Sequence, residues 1–73
     1  MSVSPNEVLV FKTDIKFKKD IQKIAPALTI AGITQWTIDR DDVDCVLRVV
    51  TDSFSVNDII EIVSDNGYTC SEL

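Results

Sequence analysis

The amino-acid sequence predicts an α+β domain with the element order β-α-β-β-α-β, in which a four-stranded antiparallel sheet carries both helices on one face. The chain of 73 residues has room for one domain, residues 1–73, around one modest core. Two segments repeat apolar residues every three or four positions, which is typical of helices. Three segments are rich in β-branched or alternating apolar residues, and a short fourth follows the second helix.

The first half of the chain is predicted to form a strand, a helix and a second strand. Glu7–Thr13 is β-branched and aromatic, so it indicates strand one. Residues 17–30 place their apolar side chains along one helical face. Pro26 lies inside this segment and removes a backbone donor, so we expect a kink or a late second start there. Gly32 can end the helix, and residues 33–39 alternate as strand two.

The second half repeats this order with a hairpin at its start. Residues 40–44 are polar and turn-forming, and residues 45–51 resume a β-branched pattern, so strands two and three are expected to form a hairpin with an irregular loop. Ser55 opens a capping box for the second helix, which the Asn-Gly pair at residues 66–67 ends. Residues 68–73 form the last, short strand. The complete order is that of a ferredoxin-like, split β-α-β domain.

The charge balance limits the classes of partner. Twelve acidic and seven basic residues give a net charge of −5, so the average field repels phosphate backbones and anionic lipid. We therefore expect neither nucleic acid nor a membrane as partner. Residues 1–7 hold no basic segment followed by an apolar one, so no secretion signal is predicted. Two cysteines are too few for a disulfide scaffold, and a reducing, cytoplasmic location fits best.

The residues of catalysis are scarce. The sequence has no histidine, no serine beside a plausible base, and only two glycines, which rules out a glycine-rich phosphate loop. We therefore expect a protein that is not an enzyme and that carries no cofactor.

Several short patterns, taken in order, resemble the heavy-metal-associated domain family, which includes copper chaperones, mercury-binding proteins and modules of metal-pumping ATPases. The resemblance spans nearly the whole chain and implies the fold given above with strand order 4-1-3-2. The matching segments are Val8 to Thr13, the helix end before Gly32 and Ile33, Trp36 to Asp39, Leu47 to Thr51, and Asn66 to Tyr68.

The metal-binding motif of that family is absent. Its members carry Cys-x-x-Cys at the first turn of helix one, where thiolates hold a soft cation. Alignment on the flanking segments puts Phe17 and Asp20 in the two cysteine positions, and a shifted alignment puts Lys16 and Lys19 there. Neither pair can ligate a soft metal. The resemblance also implies that Tyr68 lies close to this loop, so its ring is expected to fill space beside Phe17.

Two other groups of metal-ligating residues have simpler interpretations. The acidic cluster Asp39, Asp41, Asp42 and Asp44 lacks the glycine and glutamate of an EF-hand loop, so we interpret it as a solvated hairpin loop. Strand order 4-1-3-2 would put strand one between the strands of Cys45 and Cys70, about 9–10 Å apart and beyond disulfide reach. We expect two free thiols acting as small core residues.

The sheet face away from the helices is predicted to be unusually apolar. If Leu9 and Phe11 point to the core, alternation turns the neighbouring valines outward. A contiguous apolar cluster on adjacent strands indicates a protein partner or self-association. The candidate partner face consists of Val8, Val10, Val46 and Val50.

Three hypotheses about function follow. The first is a non-catalytic protein-binding or dimerising module, a degenerate relative of the metallochaperones that uses its open sheet or altered first loop. The second is a metal-handling protein that binds through carboxylates or through Cys45 or Cys70. The third is a small-ligand sensor, which rests on fold analogy.

Overall fold

The computed structural model of the chain describes residues 7–73, and the side chains of residues 8–73. The prediction that there is no secretion signal concerned residues 1–7, and all of these except Glu7 lie outside the described range. The six predicted elements are present in the predicted order. They are β1 Glu7–Thr13, α1 Lys18–Ala31, β2 Trp36–Asp39, β3 Val46–Thr51, α2 Val56–Asp65 and β4 Cys70–Glu72.

The four strands form one antiparallel sheet in the order β2-β3-β1-β4. Read from the opposite edge, this order is β4-β1-β3-β2. The register places Leu9 opposite Val49 and Phe11 opposite Leu47, and on the other side of β3 it places Ile38 opposite Leu47. Because alternate residues of a strand share a face, these apolar side chains point to the same side of the sheet.

A single hydrophobic core joins that sheet face to both helices. Its fully buried members come from four sources: Phe11, Leu47 and Val49 from the sheet, Ile15 from the segment between β1 and α1, Ile24 and Leu28 from α1, and Ile59 and Val63 from α2. Both helices therefore pack on the sheet face that carries Phe11. We term the opposite side the outer face. Its residues on the three strands β2, β3 and β1 are Val8, Val10, Lys12, Thr37, Asp39, Val46, Arg48 and Val50.

Both helices end in the same way, with a glycine in the left-handed conformation. Gly32 has φ 97° and Gly67 has φ 91°. The next residue then turns its N–H back onto the last helical turn: Ile33 donates to Leu28 and Tyr68 donates to Val63. This is the Schellman arrangement, in which the residue after the glycine packs apolar surface onto the helix.

The predicted starts of β2, β3 and β4 are each too early. The last strand begins at Cys70 and not at residue 68, because Tyr68 still bonds to the end of α2. Ile33 is 2% exposed and belongs to the end of α1, so β2 begins only at Trp36. Cys45 has φ 45°, which is not a strand conformation, so β3 begins at Val46. The predicted second start at Pro26 is absent, because α1 continues through it. Pro26 and Gln22 are both exposed, so water can reach the carbonyl that lacks its helical donor.

Neither described helix has the length and apolar character that crossing a bilayer requires.

Candidate functional site

The structure brings together the three residues that the resemblance assigns to a degenerate metal loop. Phe17 immediately precedes α1, and its N–H donates to Asp20 Oδ2 over 3.0 Å. The hydroxyl of Tyr68, which follows the end of α2, donates to Asp20 Oδ1 over 2.9 Å. We term Phe17, Asp20 and Tyr68 the Asp20 cluster. Both carboxylate oxygens of Asp20 thus accept hydrogen bonds from the same chain, at a position where the resemblance would have placed a thiolate.

Hydrogen bonding shifts the titration of this cluster. The Phe17 N–H holds the pKa of the Asp20 carboxyl below its usual value, and the Tyr68 hydroxyl adds to this effect. Desolvation raises the pKa of Tyr68, and the hydrogen bond to the negative Asp20 raises it further. At neutral pH the pair is therefore an ionised carboxylate accepting from a neutral phenol.

One lysine lies near each aromatic ring of the Asp20 cluster. Lys19 Nζ lies 5.9 Å from the centroid of the Phe17 ring, and Lys23 Nζ lies 5.4 Å from that of Tyr68. Both distances are within the range of cation–π attraction. Positive charges in these positions oppose the binding of a metal cation by the same loop.

A further hydrogen bond joins this loop to the strand β4 side of the molecule. The Thr69 N–H donates to Asp14 Oδ1 over 2.8 Å. Together with the contact between Tyr68 and Asp20, it fastens the segment before α1 to the segment after α2. The polar groups of the segment before α1 are thus hydrogen-bonded to the segment after α2.

The carboxylates of the acidic hairpin loop also accept hydrogen bonds from the same chain. Asp39 Oδ1 accepts from the N–H of Asp41 over 3.1 Å, and Asp42 Oδ1 accepts from that of Asp44 over 2.8 Å. Asp44 Oδ1 lies 3.6 Å from Lys12 Nζ. Across residues 8–73, no three Asp, Glu or Cys side chains are grouped as a metal site requires.

Both cysteines are free thiols on either side of the end of β1. Cys70 pairs with Thr13 in the sheet, and the Thr13 hydroxyl donates to the carbonyl of Cys45 over 2.7 Å. Burial raises the pKa of the Cys70 thiol to about 11. It is therefore protonated at neutral pH, and a thiol in that state is a poor metal ligand.

The outer face holds the four predicted valines, with unequal exposure. Val8 lies directly opposite Val50 in the sheet and is 58% exposed, whereas Val10 and Val50 are half-buried. Val46 is only 4% exposed, so it offers little area to a partner. The accessible apolar surface is therefore concentrated at the end of the sheet that holds Val8 and Val50.

A shallow groove of about 470 Å³ lies at that end, beside the start of β2. Its lining is largely apolar but contains one charge, Arg48, which is exposed and forms no ion pair among the described side chains. The sequence prediction did not include Arg48, although strand alternation places it on the outer face between Val46 and Val50. The lining residues are Val8, Thr34, Gln35, Trp36, Thr37, Arg48 and Val50.

Comparisons of the chain with protein-family models, with curated proteins and with solved structures found no match.

Proposed function

We propose that the chain is a non-catalytic protein-binding or dimerising module that makes contact through its outer face. We further propose that it has the ferredoxin-like fold and is a degenerate relative of the heavy-metal-associated domains. The strand order β4-β1-β3-β2 and the packing of both helices on one sheet face support this fold. Two free thiols support a cytoplasmic location.

One observation carries the proposed function: Val8, 58% exposed, lies opposite Val50 at the edge of an apolar groove, on a sheet face that neither described helix covers. The other sheet face is covered by both helices. Exposed apolar area that is contiguous across two strands marks contact surfaces in small proteins, whereas single exposed apolar side chains do not.

The two other hypotheses receive less support from the geometry. Metal binding through carboxylates competes with the internal bonds of Asp20, Asp39 and Asp42, and metal binding through Cys70 competes with protonation of its thiol. The sensor hypothesis rests on fold analogy and gains no specific ligand contact from the structure.

Sedimentation equilibrium of the wild type and of Val8→Gln tests the proposal. Gln replaces the β-branched apolar side chain by a longer polar one and so removes apolar area from the contact, and we expect self-association to weaken about tenfold or more. Ile30→Gln is a matched control, because Ile30 is also an exposed apolar residue, at 87%, but lies on α1.

A partner of different sequence is tested in the same pair of variants by affinity capture with the wild-type chain as bait. Binding that Val8→Gln weakens and Ile30→Gln preserves supports the outer face as the contact surface. The proposal is wrong if neither self-association nor capture responds to Val8→Gln.

A further inference from the structure

The hairpin loop between β2 and β3 has an apolar tip surrounded by acids. Val43 is 90% exposed, the highest exposure among the large apolar residues of the described chain. Asp41, Asp42 and Asp44 flank it in sequence. The hydrogen bonds from the N–H groups of Asp41 and Asp44 to preceding carboxylates fix the shape of the loop, so Val43 is held in water by the structure around it.

The part of this loop that leads into β3 lies beside the outer face. The Lys12 side chain projects from that face, and Asp44 Oδ1 contacts its ammonium group over 3.6 Å. Val46 also projects from that face, and it is 4% exposed although it is outside the main core. The ion pair places Asp44, the last carboxylate of the loop, beside the outer face at the end where β3 begins, whereas Arg40 and Asp41 border Ile38 and Lys16 on the side of the helices.

The groove lies at the other end of the same strand. Arg48 and Val50 line it in the middle and near the end of β3, whereas Val43 lies three residues before the start of β3. One molecule therefore carries a protruding apolar tip and an apolar groove at opposite ends of one face. The tip cannot reach the groove of its own chain, since β3 separates them.

We propose that a second copy of the chain occupies the groove, with its Val43 seated against Val8 and Val50. This inference rests on the proposed function, and it names the partner and the contact. A two-fold axis that lies between two facing outer faces, perpendicular to the strands, brings each loop over the groove of the other copy. Both contacts then form at once and the assembly closes as a dimer, as isologous interfaces do.

Charge complementarity supports this choice of occupant. The loop from Asp39 to Asp44 carries four carboxylates and one arginine, whereas the groove contains Arg48 as its single charge. Docking of the loop would bring carboxylates toward that guanidinium group, which hydrogen-bonds well to carboxylate oxygens. It would also bury Val43 and Val8, the exposed apolar residues of the two surfaces.

Sedimentation equilibrium of Val43→Ser is the first test. Because Val43 is 90% exposed, the substitution leaves the fold intact, which circular dichroism checks. The dimer dissociation constant should rise about a hundredfold, because roughly tenfold is lost at each of two identical contacts. Ile30→Ser is the control and should leave the constant unchanged.

A charge exchange provides the second test. Arg48→Glu alone and Asp44→Lys alone each place like charges at both contacts of a homodimer, so each variant should sediment as a monomer; Asp44 is chosen because its contact with Lys12 puts it beside the outer face. An equimolar mixture of the two variants places opposite charges at both contacts, and we expect it to regain the dimer.

These outcomes separate the inference from the function on which it rests. If Val8→Gln weakens the wild-type dimer but Val43→Ser and the mixture have no effect, the outer face is a contact surface and the loop is not its occupant. A wild type that remains monomeric at millimolar concentration overturns the inference, and affinity capture then decides the proposed function alone.

Discussion

The Asp20 cluster and the outer face differ in whether their functional groups already have partners within the chain. At the Asp20 cluster, both carboxylate oxygens accept hydrogen bonds from the same chain, at 3.0 and 2.9 Å. On the outer face, Val8 remains 58% exposed and Arg48 has no ion-pair partner among the described side chains. Polar groups that are satisfied internally gain little from a partner, whereas exposed apolar area gains from burial. The comparison therefore favours the outer face as the proposed contact surface.

The claim that internally bonded polar groups stabilise the fold is tested most strongly at Thr13, which lies outside the Asp20 cluster and is 5% exposed. Its hydroxyl donates to the carbonyl of Cys45 and accepts from the N–H of Ile15. Thr13→Val keeps the shape but leaves both buried backbone groups unpaired, so the free energy of unfolding should fall by about 2–4 kcal/mol. Urea denaturation measures this change. Thr29→Val, at an exposed position of α1, should change it by less than about 0.5 kcal/mol.

A smaller loss is expected from Asp20→Ala. The substitution removes the acceptor for the Phe17 N–H at the start of α1 and the acceptor for the Tyr68 hydroxyl. The midpoint of thermal unfolding should fall by a few degrees, because a cap and a tertiary contact are lost together. Glu61→Ala, at an exposed site inside α2, is the control. Equal midpoints for the two variants would show that the Asp20 cluster is not structurally important.

Acidification should weaken the Asp20 cluster in the same way. The folded protein holds the pKa of Asp20 below its ordinary value of 3.8, so the unfolded chain binds the proton more readily. The stabilisation is fully present above the ordinary pKa and disappears as the pH falls through the folded pKa. The stability difference between wild type and Asp20→Asn should be constant from about pH 5 to pH 8 and should shrink below about pH 4. An NMR titration midpoint of Asp20 at or above 3.8 would contradict this assignment.

The smallest effect on stability is expected on the outer face. Val8→Thr preserves the β-branched shape of a residue that is 58% exposed, so the free energy of unfolding should change by less than about 0.5 kcal/mol. Self-association should nevertheless weaken, because a methyl group that faces the partner is replaced by a hydroxyl. Loss of stability without loss of association would place Val8 in the fold rather than in the interface.

The sequence predicted the element types because each depends on a local pattern. Alternation identified β1 to its ends, and helical spacing with the capping residues Ser55 and Gly67 located α2. Strand alternation likewise assigned the valines to the outer face. Where a residue joins a neighbouring element the local pattern misleads: Ile33 alternates with the strand that follows but bonds to the end of α1.

The contacts that decide the site depend on tertiary structure and could not be predicted in this way. Tyr68 and Asp20 are 48 positions apart, so the resemblance could suggest that they are close but not that the phenol donates to the carboxylate. The burial of Val46 on the outer face could not be predicted either, because alternation specifies the face of a side chain and not its exposure. Arg48 was open to prediction, since its place between Val46 and Val50 puts it on the same face.

A dilution series of the ¹⁵N-labelled wild type, followed by amide chemical shifts, tests the central claim most directly. We expect concentration-dependent shifts at Val8, Arg48 and Val50 and at the loop residue Val43, with constant shifts at Phe17, Asp20 and Thr69. Shifts confined to the segment around Phe17 and Asp20, with a silent sheet, would contradict it.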